Sequence, residues 1–166
     1  MRNVLILCTG NSARSIMAEA VINHLGGERV RAHSAGSHPK AEPHPMALEC
    51  LAEVGIDTAG LYSKSWDAFT GAHAPPLDLV LTVCDAAAGE ACPLFPGKAQ
   101  RAHWGLPDPP AGASDDERWA RFRAVRDALQ TRIDALLTIP DADWDRDDFV
   151  QRVAELHNRL PQPLTA

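Results

Sequence analysis

Residues 3–8 are almost all apolar and end at Cys8, the pattern of a short buried strand. The next seven, Thr9-Gly10-Asn11-Ser12-Ala13-Arg14-Ser15, are small or polar. From Ile16 the apolar residues Met17, Ala20, Val21 and Leu25 recur at three- and four-residue steps, which predicts a helix stopped by Gly26-Gly27. Val30 to Ala35 predicts a second strand. Residues 37–45, with His38, His44 and interspersed prolines, predict a loop, and Met46 to Val54 a helix stopped by Gly55. Leu77 to Cys84 is the strongest strand signal in the chain. A loop over 85–97 and a short fourth strand over Ala99–Trp104 follow, then a Pro- and Gly-rich loop over 105–114. Trp119, Phe122, Val125, Leu129, Ile133 and Leu136 mark a long helix from Asp115 to Ile139. Phe149, Val153 and Leu156 mark a last one from Asp143 to Leu160.

Strands alternating with helices predict an α/β fold, a four-stranded parallel sheet flanked by helices on both faces. Ligands then bind beyond the carboxyl ends of the strands, and Cys8 and Cys84 both stand at such ends.

The 166 residues suit one core, and the net charge of -6 gives no basic surplus for a nucleic-acid partner. No run reaches the roughly 18 apolar residues of a membrane span, and the N-terminal run Val4-Leu5-Ile6-Leu7 is too short for a signal peptide. A cytoplasmic location is therefore expected. In that reducing compartment Cys8, Cys50, Cys84 and Cys92 are buried thiols, metal ligands or redox groups rather than staples.

Cys8-x5-Arg14-Ser15, after a strand and before a helix, carries the most chemistry. Orphan N–H groups at a helix start favour an anion, so a thiolate at Cys8 is expected to be stabilised. The intervening residues can wrap their N–H groups around a tetrahedral oxyanion, with Gly10 and Asn11 tolerating left-handed backbone. Arg14 can fork onto two oxyanion oxygens, and Ser15 can donate to the thiolate. Neither a Walker loop nor a G-x-G-x-x-G fingerprint is present.

Thr9 to Ser15 behind Cys8, with Met17-Ala18-Glu19-Ala20, His33-Ser34-Ala35-Gly36, Thr82-Val83-Cys84 and His103-Trp104-Gly105-Leu106-Pro107-Asp108-Pro109, resembles the low-molecular-weight protein tyrosine phosphatase fold. The likeness is greater to the arsenate reductases built on that fold. It runs from about residue 3 to 139, leaving 140–166 as a C-terminal helical extension.

The resemblance implies Cys8 as nucleophile, Arg14 as oxyanion clamp and Asp108 as general acid, with Thr9, Gly10, Asn11, Ser12, Ala13, Arg14 and Ser15 holding the substrate. The phosphatases usually carry a second loop cysteine where this chain has Ala13, and a tyrosine where it has Pro110. They also lack the Cys84 and Cys92 pair. All three differences favour the reductases. Two-electron reduction of arsenate needs a second thiol to expel arsenite from Cys8, and a third can carry the disulfide outward to a reductant. By resemblance these are Cys84 and Cys92.

Thioredoxin is then the expected electron donor, with glutaredoxin or another thiol donor as alternatives; no cofactor is expected. Asn11, Glu19 and Ser34 match positions that help bind potassium in some of these reductases. The fourth position falls on Lys64, whose ammonium would replace the cation, so no metal is expected. Cys50, in an apolar helix, reads as a core residue, and the loop histidines His38 and His44, with His33 just upstream, as solvated side chains more than metal ligands. A small phosphatase and a non-catalytic oxyanion sensor are the competing readings.

Overall fold

The computed structural model describes residues 1–163. Nine principal elements follow one another: β1 (Arg2–Leu7), α1 (Arg14–Leu25), β2 (Val30–Ala35), α2 (Pro45–Ala52), β3 (Leu77–Thr82), the single turn α3 (Asp85–Ala88), β4 (Gly97–His103), α4 (Asp115–Leu137) and α5 (Phe149–Arg159). Short 3-10 turns lie at Trp66–Phe69, Pro109–Ala111 and Asp141–Asp145. The four strands are parallel in the order β2-β1-β3-β4. Among the described residues, no helix is long and apolar enough to cross a membrane.

Local chemistry explains most boundaries. Gly26 ends α1 because a Cβ there would press on the Val30 carbonyl at 2.6 Å and the Ile22 carbonyl at 2.7 Å. Ser114 caps α4 by accepting from Glu117 N at 3.2 Å, and Asp115, Asp116 and Glu117 place negative charge at the positive end of the helix. The expected last helix divides in two. Asp141–Asp145 makes a 3-10 turn whose Trp144 stacks on Phe149 at 4.7 Å, and α5 begins only at Phe149. The expected loop over 85–97 contains α3, because Cys84 Sγ accepts from Ala87 N at 3.3 Å and starts a turn of alanines.

Alternation along β1 divides the core. Val4 and Ile6 join the larger cluster, to which α1, α2, α4 and α5 contribute Met17, Val21, Cys50, Leu51, Phe122, Leu129, Phe149 and Val153. Leu5 and Leu7 face the other way, with Val80, Ala35 and Phe69. This second face departs from the expectation of helices on both sides. It is closed by the Trp66–Phe69 turn and by Cys92, Phe95 and Ala99. The C-terminal segment packs on the larger cluster, where Trp104 Nε1 donates to the Val153 carbonyl at 2.8 Å.

The sheet order sets the site. From the central β1 the chain goes first to β2 on one side and then to β3 on the other, which opens a crevice between the ends of β1 and β3. Leu7 pairs with Thr82, so the segments leaving these two strands start side by side.

Candidate active site

Cys8 and Cys84 leave those two neighbouring strand ends, and both are buried. Residues 8–14 curl from β1 into α1 around a cavity of about 250 Å³, lined by Cys8, Thr9, Gly10, Ser12, Ala13, Arg14, His38, Lys40 and Asp108.

The loop's carbonyls face away from that cavity because neighbouring segments take them. Thr9 O accepts from His38 N at 3.0 Å, Gly10 O from Lys40 N at 2.9 Å and Ser12 O from His44 N at 2.8 Å. Asn11 O accepts from Ser63 Oγ at 2.6 Å. With each carbonyl held outward, the peptide N–H groups on the opposite edge are left for an oxyanion. The His- and Pro-rich loop is thus the scaffold of the cradle. His44 caps α2 by accepting from Met46 N at 3.1 Å, and His33 packs on Phe69 at 5.4 Å.

Asn11 takes a left-handed backbone, φ 45°, as its place in the loop suggested. Its Nδ2 donates to Ser15 Oγ at 2.8 Å and to Ser34 Oγ at 2.9 Å, and its Oδ1 accepts from Lys64 N at 2.9 Å. Ser15 Oγ, already accepting from Asn11, has its own proton free for Cys8 Sγ at 3.0 Å. Ser34 donates to Glu19, whose Oε2 stands 3.7 Å from Lys64 Nζ. Burial pushes the Glu19 carboxyl up and the Lys64 ammonium down, and their mutual attraction opposes both shifts. A chain of polar contacts therefore runs from Lys64 through Glu19, Ser34, Asn11 and Ser15 to the Cys8 sulfur.

Arg14 Nη1 donates to the Leu106 carbonyl at 2.8 Å, and Nη2 lies 3.8 Å from Asp108 Oδ1. Asp108 is more than half exposed at the cavity rim. The segment that carries Asp108, the expected acid, therefore also holds the arginine.

The Cys8 and Cys84 thiols shift each other's protonation. The Cys8 thiol, the Ala87 N–H and the Thr9 N–H hold Cys84 down to about 5 against its burial. Cys8 is pushed well above the ordinary thiol value by Cys84 and by burial, with Ser15 opposing. The sequence placed the acidic thiol at Cys8; in the structure that acidity belongs to the pair and falls on Cys84. The Cys8 thiol acts most strongly on Cys84, and Ala87 N donates to Cys84 Sγ at 3.3 Å.

Cys92 is not beside Cys84. It packs on the second face of the sheet, near Phe95 and Ala99, and lines a separate cavity of about 240 Å³ with Glu90, Arg101 and His103. Burial pushes its thiol up, and the Arg101 guanidinium opposes that. Arg101 Nη2 also donates to the Pro93 carbonyl at 3.0 Å. Cys50 is a core thiol, pushed up to about 11 by burial. Ser63 and Lys40 were not legible as contributors in sequence, because each reaches the loop from a segment distant along the chain.

The family model for low molecular weight phosphotyrosine protein phosphatases matches residues 3–155, past the expected limit at 139 and into α5. The arsenate reductase of Bacillus subtilis (strain 168) is 40% identical over 139 residues, covering 80% of this chain and 94% of that protein. A solved arsenate reductase in a phosphate-binding state superposes with a TM-score of 0.65 at 30% identity, over 83% of this chain and 98% of that one. The thioredoxin-dependent arsenate reductase of Corynebacterium glutamicum superposes with a TM-score of 0.61 at 28% identity, over 83% of this chain and 61% of that one. The oxyanion loop on β1 and a second thiol at the end of β3 thus sit in a frame shared over most of the chain, which belongs to the low molecular weight phosphotyrosine protein phosphatase family and to its arsenate reductase branch.

Proposed function

We propose that this enzyme, an arsenate reductase, works by a relay of Cys8, Cys84 and Cys92. The observation that carries the reading is the pair of buried thiols at neighbouring strand ends, one opening the loop between β1 and α1 and one following β3. A phosphatase needs only the first.

Arsenate sits in the loop on its N–H groups, with Arg14 turning its fork from Leu106 onto two oxygens. The Cys8 proton passes to the Cys84 thiolate as Cys8 attacks arsenic, and Ser15 steadies the Cys8 thiolate that forms. One As–O bond breaks, and its oxygen leaves with a proton from Asp108. Cys84, once deprotonated, attacks the Cys8 sulfur. The S–S bond forms as the S–As electron pair passes to arsenic, which leaves as arsenite. Cys92 then attacks Cys84, leaving a Cys84–Cys92 disulfide and freeing Cys8. Cys92 must come off the second face of the sheet to do this, so segment 85–97 moves once per cycle.

A thiol donor closes the cycle. Thioredoxin suits an internal disulfide, and the thioredoxin-dependent relative supports that choice over glutaredoxin. Unpaired thiols suit the cytoplasm. Lys64, beside Glu19, supplies the positive charge expected in place of a cation, and α5 docks on the catalytic unit through the Trp104–Val153 hydrogen bond.

Arsenate turnover with the thioredoxin and glutaredoxin systems supplied separately tests the proposal. Turnover with thioredoxin that is lost in a folded Cys8→Ser protein is the expected result. Aryl phosphate hydrolysis without arsenate reduction favours the phosphatase reading, and oxyanion binding with neither activity favours the sensor.

A further inference from the structure

The relay requires Cys84 to shed a proton after Cys8 has become bonded to arsenic. Cys84 is only 2% exposed, so water does not reach it freely. One polar path leads away from it. Thr9 Oγ1 lies 3.8 Å from Cys84 Sγ and donates to Glu90 Oε1 at 2.8 Å. The other carboxylate oxygen of Glu90 is buried and has no hydrogen-bond partner among the described residues.

Thr9 carries a single hydroxyl proton. With that proton donated to Glu90, the Thr9 oxygen is left to accept from the Cys84 thiol. The three groups form an ordered line, S–H to O–H to carboxylate, between the resolving cysteine and an acceptor.

We infer that Glu90 takes up the Cys84 proton through Thr9, making Glu90 a positioning residue for the second step of arsenate reduction. Thr9 passes its proton to Glu90 Oε1 and receives the one from Cys84. The products are a Cys84 thiolate and a neutral Glu90, with no net change of charge. The Thr9 hydroxyl is then free to turn and donate to the new thiolate. This rests on the relay proposed above, and it gives segment 85–97 a duty beyond carrying Cys92.

Other charged groups near Glu90 are already engaged. Arg101 and His103 of β4 line the same cavity, but Arg101 is committed to the Pro93 carbonyl, and His103 bridges Thr82 at 2.7 Å and Asp85 at 2.8 Å. Cys92, on Glu90's own segment, lines that cavity too. Arg14 acts on Cys84 from the oxyanion loop and does not intervene between Thr9 and Glu90.

The test is arsenite release in a single turnover by the fully reduced chain without thioredoxin, which needs only Cys8 and Cys84, followed across pH. In Glu90→Gln the release slows on the order of a hundredfold at neutral pH, the range for one proton-transfer group. It converges on the wild-type rate as pH rises and hydroxide replaces the carboxylate. Glu90→Ala opens space next to a cavity of about 240 Å³, and added formate restores its rate. Binding of inorganic phosphate to each variant reports that the oxyanion loop is intact. Glu90→Gln releasing arsenite at the wild-type rate overturns the inference. So does a loss that is equal at every pH and is not restored by formate. Absence of arsenite release from the wild-type chain overturns the relay itself, a result distinct from either.

Discussion

Gly36→Ala tests whether the oxyanion loop is held by close backbone packing. Gly36 follows β2, and its N–H and carbonyl are both pinned, donating to Lys64 O at 2.9 Å and accepting from Trp66 N at 3.0 Å. It therefore cannot retreat. A Cβ at this position overlaps the Thr9 carbonyl and meets the Cys8 carbonyl at 2.8 Å and Asn11 N at 3.1 Å. All three are backbone atoms of the oxyanion loop, so no side chain can swing aside to relieve the overlap. Overpacking of this kind costs about 1–3 kcal/mol. For a domain of this size that lowers the melting temperature by about 3–10 °C. The cost to catalysis is greater, because the displaced atoms carry the nucleophile. A shift of about 1 Å in catalytic geometry costs on the order of a hundredfold in rate. Thermal unfolding followed by circular dichroism, with kcat/KM for arsenate in the thioredoxin-coupled assay, measures both. A melting temperature within about a degree of wild type, together with kcat/KM within about twofold, refutes the packing argument.

Arg14→Lys replaces a planar fork by a point charge and is expected to lower kcat/KM by about 2–4 kcal/mol of transition-state stabilisation, read from steady-state arsenate reduction. Cys92→Ser is expected to release one arsenite per chain and stop as a Cys8–Cys84 disulfide, seen by peptide mapping after one turnover; undiminished multiple turnover with thioredoxin removes Cys92 from the relay. The Cys8–Cys84 pair predicts a pH signature whose sign follows from Cys84 being held down to about 5: one thiolate is present above that value and is lost as pH falls through it. Ultraviolet thiolate absorbance of a Cys92→Ser protein, titrated against a Cys8→Ser control, checks this, and a first midpoint near the ordinary thiol range contradicts the shared proton.

The geometry of the loop at Cys8 was legible in sequence because it is local. Cys8, Asn11, Arg14 and Ser15 lie within one strand-to-helix turn, and Asn11 takes the left-handed backbone expected of that stretch. The strands and the helices α1 and α4 were legible for the same reason, since periodicity is a property of neighbours. Boundaries moved where a side chain far away decided them, as at the last helix, whose start waits for Phe149 to stack on Trp144.

Long-range placement belongs to the tertiary structure. Two strand ends carry Cys8 and Cys84, but only the order β2-β1-β3-β4 makes those ends adjacent and lets the thiols share a proton. Each sulfur's acidity then depends on which donors reach it and how deeply it is buried, which no spacing encodes. The carbonyls of the loop are held by residues 38, 40, 44 and 63, and Thr9 meets Glu90 across 81 positions of chain. The sequence determined which chemical groups the protein owns and the local turn that presents them. Packing decided which groups meet, because closing a long loop costs entropy that only the assembled core offsets.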